Sequence, residues 1–106
     1  MMDSLSIEFT APLLLYKTAK TAWHYISIPP NEADLIRFWA QSIAAERKKR
    51  GFGALKIEAY LKEQQWKTSL FPDKENNSYI LPIRADIRKA AKLNLGDDLT
   101  LRVDLI

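Results

Sequence analysis

The sequence predicts a mainly β, single-domain fold with two helices, an α+β barrel closed within one chain over residues 1–106. Three observations predict it. The length of 106 residues suffices for one modest core. Several segments alternate apolar and polar residues, as half-buried strands do. A strand–proline–helix–glycine–strand pattern also occurs twice, beginning at Tyr25 and at Tyr79. This pseudo-repeat, 5–61 and 66–105, suggests two interlocked halves that close one barrel.

Composition narrows the class of protein further. Hydrophobic residues make up 47% and charged residues 27%, which favours a globular chain over a disordered one. The absence of cysteine excludes disulfides and thiolate zinc sites. No apolar run approaches the roughly 20 residues of a membrane span, and no signal peptide is evident. We therefore expect a cytoplasmic protein with no membrane partner.

Two strand regions are predicted before the first helix. The stretch "SLSIEFTA" alternates, with Leu5, Ile7 and Phe9 on one side, and "LLLYKT" extends the ribbon after Pro12. After a polar turn, "AWHYISI" is rich in aromatic and β-branched residues and is predicted as a strand. Pro29 ends it, because proline cannot donate to a strand ladder.

The first helix is predicted from about Glu32 to about Lys49. Asn31 suits its N-cap, the cations of "RKKR" suit its last turn, and Gly51 suits its C-cap. Apolar residues recur every three or four positions and predict one buried face. That face would contain Leu35, Ile36, Phe38, Trp39, Ile43 and Ala44.

The second half of the pattern is shorter. "ALKIEAYL", the last strand of the first half, is predicted to form a hairpin with "QWKTSLF", which begins the second half; "SYILP" is predicted as the next strand and "DLTLRVDLI" as the last. Between the last two, a helix from Ile83 to about Lys92 is followed by a turn in which Gly96 is free to take a positive φ. The inward residues of this helix would be Ile87, Ala90 and Ala91.

Two family resemblances bear on this reading. "LPIRADIRKAAKLNLGDDLTLRV" resembles the swapped-hairpin half of AbrB- and MazE-type proteins, although two extra residues separate Pro82 from Arg88. The order "AW…IP", "W.TSLFP" and "Y.LP….R" through "GD" resembles a bacterial family of unknown function, DUF1905. That resemblance implies a double-split β-barrel capped by helices, with both halves in one chain. Dimerisation would then not be required for folding.

The first functional hypothesis is a non-enzymatic binding module with a nucleic-acid-binding or regulatory role, and nucleic acid is the first partner considered. The hypothesis rests on two basic clusters, one in "RKKR" and one around Arg88. A net charge of +3 is small for a nucleic-acid-binding protein. The AbrB-type resemblance implies DNA-binding arginines near the second helix, which Arg88 and Lys89 match and Arg84 does not. Glu32 and Asp34 stand at the corresponding place in the first half, so a symmetric DNA face is not repeated. The proposed contacts are Arg47, Lys48, Lys49, Arg50, Arg88 and Lys89.

The alternative is a small-molecule site, binding an anion or catalysing a reaction, in the barrel mouth. Aromatic rings would form its wall and arginines would hold a carboxylate or phosphate. Its residues would be Trp23, Trp66, Tyr79, Arg84 and Arg88. No catalytic residue, metal or cofactor is indicated, because His24 is the only histidine and Asp97-Asp98 suit a turn. The interpretation therefore favours binding over catalysis.

Overall fold

The alternating segments form strands in the computed structural model, which describes residues 5–47 and 53–105, with the side chains of 43–47 outside that description. The mainly β fold with two helices is confirmed. In chain order the elements are β1 (Leu5–Pro12), β2 (Leu14–Lys17), β3 (Ala22–Ser27), α1 (Pro30–Arg47), β4 (Leu55–Leu61), β5 (Gln64–Asp73), β6 (Ser78–Pro82), α2 (Ala85–Ala90) and β7 (Asp98–Leu105).

The strands form one antiparallel sheet in the order β1-β7-β4-β5-β6-β3-β2, curled into a half-barrel. Strand β5 changes partner along its length: Gln64–Leu70 pair with β4, and Phe71–Asp73 pair with β6. Strands β1 and β2 lie at opposite ends of the order, yet only Leu13 separates them in the chain. The same stretch of chain therefore supplies both ends of the sheet, which accounts for its curl. The double-split arrangement and the two-half repeat stay predictions.

The bend between β1 and β2 lies inside the half-barrel, and the buried side chains confirm the predicted alternation of the strands. The N–H of Leu13 donates to the carbonyl of Asp97 at 2.9 Å, and the Leu13 carbonyl accepts from Gly96 N–H at 2.9 Å, so the bend between β1 and β2 is held inside. Gly96 has φ +90°, as predicted. The inward side chains fill the half-barrel, and they include Ile7, Phe9, Ile26, Ile57, Ala59, Leu61, Leu99, Leu101, Val103 and Leu105.

Helix α1 begins one residue before Asn31, so the N-cap prediction is wrong. Pro30 is its first residue, where a missing N–H costs nothing and the ring already holds a helical φ. The carbonyl of Pro29 accepts the bond from Ala33 N–H at 2.8 Å. Asn31 therefore lies inside the first turn.

The buried face of α1 is narrower than predicted. Ala33 and Ile36 are fully buried and Trp39 packs against the core, but Leu35 is 52% and Phe38 72% exposed. A helix lying on a sheet buries one stripe along its length, and the predicted residues point in more directions than one stripe can cover. The predictions for Leu35 and Phe38 are wrong. Those for Ile43, Ala44 and Gly51 lie outside the described residues and side chains.

Helix α2 is shorter than predicted because the backbone of Ile83 still belongs to the strand ladder, where its N–H donates to the His24 carbonyl at 3.0 Å. Ile87 and Ala91 are buried as predicted, whereas Ala90 is exposed, so its inward placement is wrong. The helix ends at Ala90, and Lys92, two residues later, has φ +55°. Within the described residues, no helix is long and apolar enough to cross a membrane.

Candidate functional site

Strands β1, β7 and β4 present a polar outer face. Thr10 and Thr100 share a hydrogen bond of 2.8 Å. The guanidinium of Arg102 lies 3.9 Å from the ring centroid of Tyr60 and pairs with Asp104 at 3.3 Å. Paired polar side chains of this kind are ordinary solvated sheet surface.

Strands β2 and β3 present a different outer face, made of aromatic rings. Tyr16 and Trp23 are cross-strand partners, and Tyr25 stands two residues after Trp23 on the same side of β3. The ring centroids are 5.7 Å apart from Tyr16 to Trp23 and 5.2 Å apart from Trp23 to Tyr25, with tilts of 53° and 44°. Tyr16 is 49% exposed and the other two rings are half-buried. We call Tyr16, Trp23 and Tyr25 the aromatic face.

Arg84 lies at the border of the aromatic face. Tyr25 is paired with Pro82, and the bond from Ile83 to His24 continues that register by one residue. The next residue, Arg84, keeps an extended backbone with φ −67° and ψ 158°, so the same register places it opposite Trp23. The alternation of a strand then puts Arg84 on the outer side.

The guanidinium of Arg84 is oriented by a carboxylate. Its Nε and Nη2 donate to the two oxygens of Asp86 at 3.1 and 3.2 Å. The hydrogen bond from Arg84 lowers the pKa of Asp86 below its ordinary value, so the carboxylate is ionised at neutral pH. Because a guanidinium has five N–H donors, Arg84 keeps three for another acceptor.

Helix α2 adds two more cations beside a groove. Arg88 donates from Nη1 to the carbonyl of Ile83 at 2.7 Å, and this bond ties the helix to the end of β6. Burial, together with the positive charge of Arg88, lowers the pKa of His24. Arg88, Lys89 and Leu93 line a surface cavity of about 460 Å³, completed by Ala85 and Asp86. We call this cavity the α2 groove.

A family model described as Domain of unknown function (DUF1905) matches residues 9–103, nearly the whole chain. The chain belongs to this family. A search of the curated proteins gives no match. The DUF1905 match runs from β1 to β7, so the aromatic face and the α2 groove both lie within the family's domain. The likeness to AbrB-type proteins stays a prediction.

The DUF1905 fold separates the five residues predicted for a barrel mouth. Trp23 and Arg84 lie on the outer side of the sheet, and Arg88 lies on α2. Trp66 and Tyr79 are only 5% and 8% exposed and belong to the core of the half-barrel. The structure therefore brings Trp23 near Arg84 and does not bring the five side chains to one surface.

Two residues of the aromatic face, Tyr16 and Tyr25, are not among the ligand-binding residues predicted from the sequence. The alternation of "AWHYISI" carried a signal, because it places Tyr25 on the same side as Trp23 and opposite to Ile26. Tyr16 joins them only through the pairing of β2 with β3. The basic run Arg47, Lys48, Lys49 and Arg50 lies outside the described residues and side chains.

Proposed function

We propose that this member of the DUF1905 family is a non-enzymatic binding module for nucleic acid. The observation that supports the proposal is an uneven distribution of charge. Residues 14–27 and 78–90, which contain β2, β3, β6 and α2, hold five cationic side chains and one carboxylate. The cations are Lys17, Lys20, Arg84, Arg88 and Lys89, and the carboxylate is Asp86.

These cations have distinct parts in the proposal. Arg84 and Lys89 are exposed and contact phosphates directly. Arg88 uses one guanidinium nitrogen to hold α2 against Ile83, so its first part is to position the helix. Phosphate contacts release counterions, and each one steepens the fall of affinity with salt.

The test is a binding titration with fluorescent oligonucleotides, duplex and single-stranded, over a range of salt. Two or three phosphate contacts predict a slope of about −2 to −3 in log affinity against log salt for duplex. Arg84→Glu/Lys89→Glu should remove most of the binding. Arg88 is left intact because its substitution would also release α2.

The matched control is Lys67→Glu/Lys74→Glu, which makes the same change of charge at exposed positions in β5 and the turn after it. The control should retain the binding that the Arg84/Lys89 variant loses. Equal losses in the two variants would show attraction to net charge alone, with no defined face. No binding of either oligonucleotide at low salt would contradict the proposal.

A second candidate function is the binding of a small anion, such as a phosphate or carboxylate. The α2 groove favours it, because Arg88 and Lys89 border apolar Leu93 in a cavity of a size that small ligands occupy. Titration with inorganic phosphate should shift the NMR resonance of the Arg88 Nε–H, and Lys89→Gln should weaken the effect. An unchanged resonance would exclude this function.

A further inference from the structure

We propose that the aromatic face stacks unpaired bases, so that the nucleic acid bound by this protein is single-stranded. This inference rests on the proposed function and names its substrate class. The proposed function needs only phosphate contacts by the cations; this inference adds stacking of bases on Tyr16 and Trp23.

The geometry of the rings supports stacking. Tyr16, Trp23 and Tyr25 form a contiguous cluster on the outer side of the sheet. Tyr16 lies beside Trp23 across the two strands and Tyr25 lies two residues along β3, with centroids 5.7 and 5.2 Å from that of Trp23. Every base has a π-face, so adjacent, partly exposed rings can stack neighbouring bases of any sequence. In a duplex those base faces are already stacked on one another, whereas a single strand can turn its bases outward.

The charge beside the rings favours nucleic acid over an uncharged partner. Lys20 lies in the turn that joins β2 to β3, beyond Tyr16, and Arg84 lies opposite Trp23 on the other side. A strand whose bases lie on the rings would therefore find cations at both borders for its phosphates. A neutral sugar would gain no charge-assisted contact from these cations, whereas each phosphate of a single strand would.

A second exposed apolar surface, Leu35 and Phe38 on α1, is less suited to stacking bases than the aromatic face. Both are more exposed than the residues of the aromatic face, but they offer a single ring with no aromatic neighbour among the exposed large hydrophobic side chains of that helix's described residues. Phe38 is therefore a suitable control, because its removal also deletes an exposed aromatic side chain and leaves the aromatic face intact.

The test compares a 20-nucleotide oligothymidine with a 20-base-pair duplex as probes. Tyr16→Ala and Trp23→Ala should each weaken oligothymidine binding about 5- to 150-fold and leave duplex binding and the salt slope unchanged. Trp23→Phe should retain most of the affinity, because a ring remains. Phe38→Ala should bind as the unaltered protein does.

A second measurement does not depend on the stability of the alanine variants. Stacking of thymine on Trp23 should quench tryptophan fluorescence in the unaltered protein. Trp23→Phe should abolish that quenching, since Trp66 is buried and Trp39 packs against the core from α1, away from the aromatic face. Melting temperatures of all variants establish that the proteins compared are folded.

The outcomes separate this inference from the proposed function. If oligothymidine and duplex bind equally and the alanine variants bind both normally, the stacking inference is overturned and the proposed function stands. If neither probe binds at low salt, the proposed function itself fails. If the aromatic face binds a proline-rich peptide and the Tyr16→Ala and Trp23→Ala changes leave oligothymidine binding intact, the face serves a protein partner and the inference is overturned.

Discussion

Replacing Ile36 with alanine tests how α1 is attached to the sheet. Ile36 has no exposed surface and belongs to the same buried cluster as Ala33 and Leu13. The change removes three carbon atoms, at about 0.8 kcal/mol each for transfer alone. The cavity that remains adds to this cost, so we expect the free energy of unfolding to fall by about 3 kcal/mol, within the usual range of about 2–5 kcal/mol.

The matched variant is Phe38→Ala, two residues away on the same helix. Phe38 is 72% exposed, so its truncation should change stability by about 0.5 kcal/mol or less. Urea unfolding followed by circular dichroism measures both. For a domain of this length about 4 °C accompanies each kcal/mol, which gives a loss of about 12 °C for Ile36→Ala. A larger loss for Phe38→Ala than for Ile36→Ala would refute the orientation of α1 described above.

Four further predictions concern α2, the proposed site and assembly. Lys92→Gly should raise the melting temperature, because Lys92 has φ +55° just after α2 and that left-handed conformation costs about 1–2 kcal/mol for a residue with a Cβ. The greater freedom of glycine in the unfolded chain offsets about 0.5–1 kcal/mol of this gain, so a net gain of roughly 0.5–1 kcal/mol is expected and a lower melting temperature would contradict it. Asp86→Asn should tighten oligonucleotide binding, because it removes a carboxylate that competes with phosphate for Arg84; unchanged affinity would contradict that competition. The lowered pKa of His24 means that the unfolded chain takes up its proton first, so stability should fall as the pH drops below about 6.5 and level off once the folded protein also binds the proton. His24→Gln should flatten that part of a denaturation profile, and an identical profile would exclude His24 as the cause. Finally, the melting temperature should not change on dilution, whereas a clear fall would indicate folding coupled to dimerisation.

The strands could be predicted from the sequence because a period of two leaves few choices. Once Leu99, Leu101 and Val103 alternate with polar residues, only one side of the strand can face a core. The buried face of α1 could not be predicted from its sequence pattern in the same way. Ile36 and Phe38 point in different directions around α1, and only contact with the sheet decides which of them is buried.

The candidate site shows the same limit. The alternation in β3 places Trp23 and Tyr25 on one side, but it does not say whether that side is the inside or the outside of the sheet. Tyr16 reaches Trp23 through the register of β2 with β3, and Arg84 through the register of β3 with β6. The register of β3 with β6 joins segments distant in the chain and depends on the whole sheet, whereas the register of β2 with β3 is set by the turn between them.

The pairing of β1 with β7 has a consequence for synthesis on the ribosome. Leu5 pairs with Leu105 and Ile7 with Val103, so β1 has no partner on this edge until β7 has been made. At about 5–20 residues per second, the nascent chain carries Ile7 and Phe9 without their cover for several seconds. Contacts between such distant residues also slow folding. The growing polypeptide therefore passes through a stage at which its first strand is open to chaperones or to a neighbouring nascent chain.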